Sequence, residues 1–502
     1  MLETPRPSLE DQLFSNQLWE TVAFIAKAAF MLGLTPWMIR VWGAEGYGEF
    51  ALASSAFVLL SLVDFGVRAR TRLSLCAERD RAQWVSILWH SASTFTVIGA
   101  STIILSMLFT AFGVFSALFK ISEVNRNLLL LTTVMSMLVM LSGLLLEPLI
   151  AAGRIGQTKC VTAVGWLCSI PCVAAVLVLK GGAIEASAVW LGCLFAANLS
   201  ALLFNFDLFR GRIASHGDFI GVNKFISILK DAFWINICNA TWMTKTYGIT
   251  LIIAALNGPT AAGLFFIFFR LSEVITGVGA ISCDVLLVEL AQRSTAEERR
   301  HSFLSSYSWA LVLCSHTGLL IAFFARDFFN FWLPSAAPIS IFVGIVIVLL
   351  GFASAFNRTA TYAAIGLGLA KTAAAWGFVE AISFVAAILL GSIAFGLLGQ
   401  LGFALIATLA LVPIARSISE TLEASHRRVW FDPWRDVVPF VAASVGILSA
   451  GGLISMPVAK LLSIPTCLGI GIANLSRWLR KRERRPSPEL PGRAIIAVES
   501  PC

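Results

Sequence analysis

The stretch AAGLFFIFFRLSEVITGVGA, residues 261–280, is apolar almost throughout, yet it carries Arg270 and Glu273 near its middle. A run of about 20 apolar residues is long enough to cross a hydrocarbon core of about 30 Å as a helix. A helix also satisfies its own backbone hydrogen bonds in lipid. The stretch therefore predicts a transmembrane helix that holds a charged pair inside the membrane.

Comparable apolar runs recur along the whole chain of 502 residues, which is 58% hydrophobic and only 13% charged, with a mean hydropathy of +0.83. Soluble domains contain about 25% charged residues. The runs do not alternate between apolar and polar residues as the strands of a membrane β-barrel do. The sequence therefore predicts an all-α polytopic membrane protein with about 14 transmembrane helices. The predicted spans are approximately 18–42, 48–67, 83–114, 127–152, 158–179, 185–208, 232–256, 260–288, 303–325, 338–357, 372–393, 396–417, 436–455 and 458–475.

Lysines and arginines are concentrated in every second predicted loop, and the chain ends in a basic tail that contains RWLRKRERR, residues 477–485. Positively charged loops mark the cytoplasmic side of a membrane protein, so both termini are expected to be cytoplasmic. The net charge of +8 is explained by these basic loops and the tail, which would face the anionic lipids of the inner leaflet. No nucleic-acid partner is expected, because the basic tail holds a single aromatic residue, Trp478, and not a series of interleaved aromatics.

Several enzyme classes leave recognisable motifs, and the sequence contains none of these. It has no Walker-type glycine-rich loop, no HExxH and no GxSxG. Its ten cysteines are scattered without a zinc spacing. The longest predicted outward loop, 326–337, is too short to hold the catalytic groups of a membrane-embedded sugar polymerase or ligase. We therefore expect a transporter that is not an enzyme, with no cofactor and no metal site.

Three cations lie inside predicted spans: Lys27, Lys245 and Arg270. At a helix rise of 1.5 Å per residue, each lies roughly 14 to 20 Å from an end of its span. A cation at mid-membrane costs about 2.5–3.5 kcal/mol. One interpretation is that Arg270 and Glu273 simply neutralise each other one helical turn apart. Lys27 and Lys245 have no acid within one turn, which favours a shared hydrated cavity for an anionic ligand.

Four of the acids within the spans are candidates for a functional role beside these cations. Glu273 is the expected charge partner of Arg270. Asp64 and Glu147 lie close to the cytoplasmic ends of their spans, where gating or pairing with a loop is expected. Glu380 lies deeper and is a candidate for ion coupling.

A weak repeat divides the chain into two halves. The first and seventh spans each carry a central lysine, followed by an outward turn that reads GYGEF at 46–50 and AAGLFF at 261–266. Parallel repeats are a known transporter plan, with the substrate site at their interface. The repeat predicts two six-helix lobes around a central cavity. The predicted domains are an N-terminal lobe 1–212, a C-terminal lobe 222–425, an extra helix pair 430–476 and a basic cytoplasmic tail 477–502.

Three stretches carry a resemblance to a known family: WGAEGYGEFALASSAFVLLSLVDFGVRARTRLSL (42–75), LEPLIAAGRIGQTK (146–159) and NGPTAAGLFFIFFRLSE (257–273). The chain resembles the multidrug/oligosaccharidyl-lipid/polysaccharide (MOP) flippase superfamily, and within it the bacterial O-antigen and exopolysaccharide flippases. The resemblance covers residues 15–420. In these proteins cations on the first, second and eighth helices line the cavity; Lys27 and Arg270 match this pattern, and the second span offers no mid-membrane cation.

The resemblance implies a function in lipopolysaccharide or exopolysaccharide biosynthesis at the bacterial inner membrane. The expected activity is the flipping of a polyprenyl-pyrophosphate-linked oligosaccharide by alternating access, with Lys27, Lys245 and Arg270 binding the pyrophosphate. Expected partners are the lipid-linked oligosaccharide, membrane lipid, and polysaccharide polymerase and export proteins. The alternative is a cation-coupled small-molecule or drug antiporter of the same superfamily, which would require an essential buried acid.

Overall fold

We analysed a computed structural model of the full chain. It describes residues 9–77, 81–121, 127–151, 155–204, 233–234, 236–280, 283, 286–287, 290, 295–332, 341–408, 412–423, 425 and 429–430. These residues all belong to the first of two compact units, Met1–Val437 and Val438–Cys502. The predicted helix pair 430–476, apart from Trp430, and the predicted tail 477–502 lie outside the described residues.

The first part of the chain forms a series of helices joined by short turns. Helix α1 runs through the first predicted span and most of the second. Between them its backbone is non-helical at Gly43, where φ is 74°. Glycine adopts this conformation without steric cost. A turn at 61–66 leads from α1 into α2. The helices are α1 (Leu9–Leu60), α2 (Val67–Ala77), α3 (Arg81–Ala111), α4 (Val114–Phe119), α5 (Leu128–Leu144), α6 (Glu147–Ala151), α7 (Ile155–Val178) and α8 (Ala183–Phe204).

In the second part of the chain, residues 236–243 are helical and continue into a π-helical turn, Thr244–Gly248. The π turn contains Lys245 and runs directly into α9. The helices that follow are α9 (Ile249–Asn257), α10 (Pro259–Ala280), α11 (Ala296–Trp332), α12 (Ile341–Gly366), α13 (Ala370–Thr408) and α14 (Val412–Thr421).

One predicted boundary does not appear in the structure. The sequence predicts separate spans at 372–393 and 396–417, whereas α13 continues through this boundary as one helix of 39 residues. The segment GSIAFGLLGQ, 391–400, has three glycines but no proline. A glycine costs a helix only about 1 kcal/mol, whereas a proline removes a backbone donor and breaks the helix. The glycines alone therefore do not end α13.

The structure confirms an all-α polytopic membrane protein. Among the described residues, seven helical segments are long and apolar enough to cross a membrane, and no strand is present. These segments are Leu18–Leu60, Gln83–Ala111, Leu128–Ala151, Gly156–Val178, Ala183–Leu203, Pro259–Gly279 and Ala370–Gly391. The predicted lobes 1–212 and 222–425 remain a prediction.

Helix α1 lies at the centre of the packing and contacts both α7 and α10. Against α7 and α8 it packs aromatic rings: Phe30 lies 5.2 Å from Trp166 and 6.0 Å from Trp190 between ring centroids. Against α10 it packs glycine. A Cβ atom on Gly263 would lie 3.0 Å from the Cα of Gly48, and a Cβ on Gly48 would overlap the carbonyl oxygen of Pro259. We call this glycine-mediated approach of Gly48, Pro259 and Gly263 the hairpin contact.

Candidate functional site

A cavity of about 580 Å³ lies among these helices. Its wall is built from α1, the start of α2, α5, α7, α8, the π turn, α10 and α12. Cations dominate the charged lining, with six of them against two acids. These charged residues are Glu20, Lys27, Arg68, Arg72, Lys159, Arg270, Glu273 and Arg358.

Arg270 lines this cavity from α10, and its side chain is almost fully buried. Its Nη1 atom forms an ion pair with Glu273, one turn further along α10, as the spacing predicts. Its Nη2 atom donates to Ser54 of α1 at 3.3 Å, and its guanidinium lies 4.1 Å from the ring centroid of Phe266. Its Nε atom is buried without a hydrogen-bond partner in the described part of the chain. One donor of the guanidinium is therefore unsatisfied.

Lys27 lines the same cavity from α1, so the structure brings together two of the three predicted cations. Its Nζ atom donates to the hydroxyl of Tyr247 at 3.4 Å. The Nη1 atom of Arg270 reaches the same hydroxyl, also at 3.4 Å. Tyr247 comes from the π turn and is 1% exposed. The two central cations are thus held on either side of one phenolic oxygen.

Lys245 does not line this cavity, and its predicted binding of pyrophosphate stays a prediction. It forms an ion pair with Glu380 of α13, and the Glu380 carboxylate also accepts a hydrogen bond from Asn357 of α12. The three residues line a separate space of about 30 Å³, which is room for about one water molecule. The acid belongs to another helix, so spacing along the sequence does not reveal it.

Glu147 is not among the residues that line the cavity, but it binds two arginines that are. Its side chain is 0% exposed, and it pairs with Arg68 at 3.1 Å and with Arg72 at 2.8 Å. Both arginines project from α2 and line the cavity. Glu147 is therefore a charge partner of the segment that follows the second predicted span.

Two further acids, Glu20 and Asp64, have defined partners in the structure. Glu20 forms a salt bridge with Lys159 at 2.7 Å, and both residues line the cavity. Asp64 is buried in the turn between α1 and α2, where its Oδ1 atom accepts a hydrogen bond from the backbone nitrogen of Gly66 at 2.7 Å. Asp64 is not among the lining residues, so its predicted gating role stays a prediction.

Sequence reasoning missed four cations of the cavity: Arg68, Arg72, Lys159 and Arg358. The sequence places them in cytoplasmic loops, whereas the structure places all four on the cavity wall. Arg68 and Arg72 lie on α2, directly after the second predicted span, and the family's mid-membrane cation on the second helix remains unmatched.

A signal for Arg358 was present in the sequence. Helix α12 continues to Gly366, and the segment ATYAAIG, 360–366, that follows Arg358 is largely apolar. Arg358 therefore lies within the helix, with its guanidinium 4.7 Å from the ring of Trp242.

Comparison with known proteins gives matches at the level of structure alone. No family model and no curated protein sequence matches the chain. Among solved structures, the lipid II flippase MurJ in an inward closed conformation superposes with a TM-score of 0.67 at 14% identity, over 93% of this chain and 100% of that one. The MATE multidrug transporter DinF-BH in complex with R6G gives a TM-score of 0.65 at 14% identity, over 85% and 100% of the two chains.

A third solved structure names the superfamily. An inward-facing multidrug resistance MATE family transporter of the MOP superfamily gives a TM-score of 0.60 at 14% identity, over 81% of this chain and 96% of that one. The chain therefore has the fold of MOP superfamily transporters. The fold that the sequence resemblance implied is confirmed, whereas a fold by itself does not identify a substrate.

Proposed function

We propose that this protein flips a polyprenyl-pyrophosphate-linked oligosaccharide across the bacterial inner membrane, for lipopolysaccharide or exopolysaccharide biosynthesis. The observation that carries the proposal is the charge of the cavity, where six cations face two acids. Counting also Glu147, the buried partner of Arg68 and Arg72, the cations still outnumber the acids by six to three, and an excess of positive charge in a membrane protein is costly. An anionic ligand offsets that cost, whereas a cationic ligand adds to it.

The arrangement of charges suits a phosphate-bearing lipid. Arg68, Arg72 and Lys159 line the cavity and would attract the headgroup electrostatically, and Lys27 and Arg270 line the same cavity. Arginine is well suited to phosphate because its planar guanidinium presents several donors. Without substrate, Arg270 pairs with Glu273, and a bound phosphate replaces Glu273 as the partner of Arg270. The sugars fill the hydrated cavity while the prenyl chain stays in lipid.

The proposal is tested in proteoliposomes that contain a labelled polyprenyl-pyrophosphate oligosaccharide. The Arg270→Glu variant is expected to lose at least about tenfold in translocation rate, because it turns an attractive charge into a repulsive one at the cavity wall. The matched control is Arg416→Glu, a charge swap at an arginine that is highly exposed on α14 and, within the described ranges, pairs with the exposed Glu420 alone. Translocation at the wild-type rate by Arg270→Glu would refute the phosphate role.

The second candidate, a cation-coupled antiporter, is favoured by one specific observation. Glu380 is a buried acid with two polar partners, Lys245 and Asn357, and such an antiporter needs a buried acid. Under this hypothesis, Glu380→Gln abolishes export of a small organic cation while Arg270→Ala leaves export intact. We prefer the flippase because Glu380 is already neutralised by Lys245.

A further inference from the structure

We infer that Tyr247 is the positioning residue of the anion site: it holds Lys27 and Arg270 at a spacing that lets two linked phosphates bind both. The inference rests on the proposed function, because it assigns the residue that arranges the two cations for a pyrophosphate. Tyr247 carries no charge and would contribute through these two neighbours.

The geometry places a single oxygen between two cations that belong to different parts of the chain. Lys27 is on α1 and Arg270 is on α10, and each donates to the Tyr247 hydroxyl over 3.4 Å. Their charged nitrogens are thus no more than twice that distance apart. Two phosphates that share a bridging oxygen present their outer oxygens over a similar span.

Two positive charges at this spacing repel each other, and each gains from separating in the empty cavity. The phenolic oxygen opposes that separation, since it accepts a hydrogen bond from each cation with its two lone pairs. Glu273 does not replace this role, because among the described contacts it pairs with Arg270 alone.

The local backbone explains why Tyr247 can hold this position. It lies in the π turn, Thr244–Gly248, a rare geometry that occurs frequently at functional sites. Its ring packs edge-on against Trp242, with 6.2 Å between ring centroids. Two residues earlier in the same turn, Lys245 is bound to Glu380 on α13. The turn is therefore fixed on two sides, and the Tyr247 hydroxyl is fixed with it.

The test measures binding of inorganic pyrophosphate to the full chain in lipid nanodiscs. Tyr247→Phe removes one oxygen and is expected to weaken binding about tenfold. This factor corresponds to the free energy that one hydrogen bond to a charged group contributes. The matched control is Tyr307→Phe, which removes the same atom from a buried tyrosine packed against Phe303 and Trp430, away from the cavity. This control is expected to bind pyrophosphate as the wild type does.

A second variant separates positioning from a general structural effect. If Tyr247 acts through Lys27, then Tyr247→Phe costs only about twofold in a Lys27→Met background, because residues of one network do not act additively. Wild-type affinity in Tyr247→Phe, or the same loss with and without Lys27, would overturn the inference while leaving the proposed function intact. A wild-type protein that does not bind pyrophosphate would overturn both.

Discussion

Glu147 shows at the residue scale how charge burial is balanced in this protein. Its carboxylate is fully buried, whereas the side chains of its partners Arg68 and Arg72 are 36% and 45% exposed. If the acid is removed, the partly exposed arginines are still solvated by water in the cavity. If both arginines are removed, the buried carboxylate is left without solvation. Removing the arginines is therefore expected to destabilise the protein more than removing the acid.

This asymmetry gives a prediction about stability. Glu147→Gln is expected to cost about 1–2 kcal/mol of unfolding free energy, as for a lost hydrogen bond. The double variant Arg68→Met/Arg72→Met is expected to cost about 3–5 kcal/mol, because it leaves a buried carboxylate without a partner. Thermal unfolding in detergent, followed by tryptophan fluorescence, measures both. Equal losses in the two variants would show that Glu147 reaches water on its own.

At the element scale, two helices of distant sequence approach each other through glycine. Gly48 of α1 and Gly263 of α10 leave no room for a side chain in the hairpin contact. Both lie in the stretches that the weak sequence repeat singled out, GYGEF and AAGLFF, which the structure shows to be helical and not turns. The repeat thus marks positions at which the two helices approach closely. Small residues allow such close backbone approach between membrane helices.

Gly48→Ala is expected to destabilise the protein by about 1–3 kcal/mol, because the added methyl group overlaps backbone that has little room to move. The matched control is Gly33→Ala on the same helix, where nothing lies within 4 Å of the added Cβ. That control is expected to gain about 0.5–1 kcal/mol through higher helix propensity. Thermal unfolding of both variants decides the point, and a loss of stability in Gly33→Ala instead would contradict this account of the hairpin contact.

The Lys245–Glu380 pair gives a second element-scale prediction, since it connects the π turn to α13. Lys245→Met alone leaves a buried carboxylate and is expected to cost about 3–5 kcal/mol. Adding Glu380→Gln in the same chain is expected to recover at least half of that loss, because no charge remains uncompensated. Thermal unfolding of the single and double variants measures this coupling. Additive losses would mean that the pair contributes nothing as a pair.

At the scale of the whole molecule, the fold followed from apolar run length, because a segment of about 20 apolar residues is constrained to be a membrane helix. The Arg270–Glu273 pair was predictable since its two residues are neighbours on one helix face. The ion pair of Lys245 was not predictable because its acid, Glu380, is contributed by a helix distant in sequence. Arg358 was assigned to a loop because a charge near a span end looks the same whether it faces water outside the membrane or a hydrated cavity.

The cavity's charge is also a whole-molecule property, since no single helix provides it. Lys27 comes from α1, Arg68 from α2, Lys159 from α7, Arg270 from α10 and Arg358 from α12. Each helix alone carries a cation that is costly in lipid. Together they form one positively charged space, and the proposal of an anionic substrate rests on it.

The most direct measurement of the central claim compares two substrates in the same wild-type proteoliposomes. One is a labelled polyprenyl-pyrophosphate oligosaccharide, and the other is a lipophilic organic cation supplied with a proton or sodium gradient. The account predicts translocation of the lipid-linked oligosaccharide, inhibition of that translocation by inorganic pyrophosphate, and no export of the cation. Export of the cation without movement of the lipid-linked oligosaccharide would contradict the account.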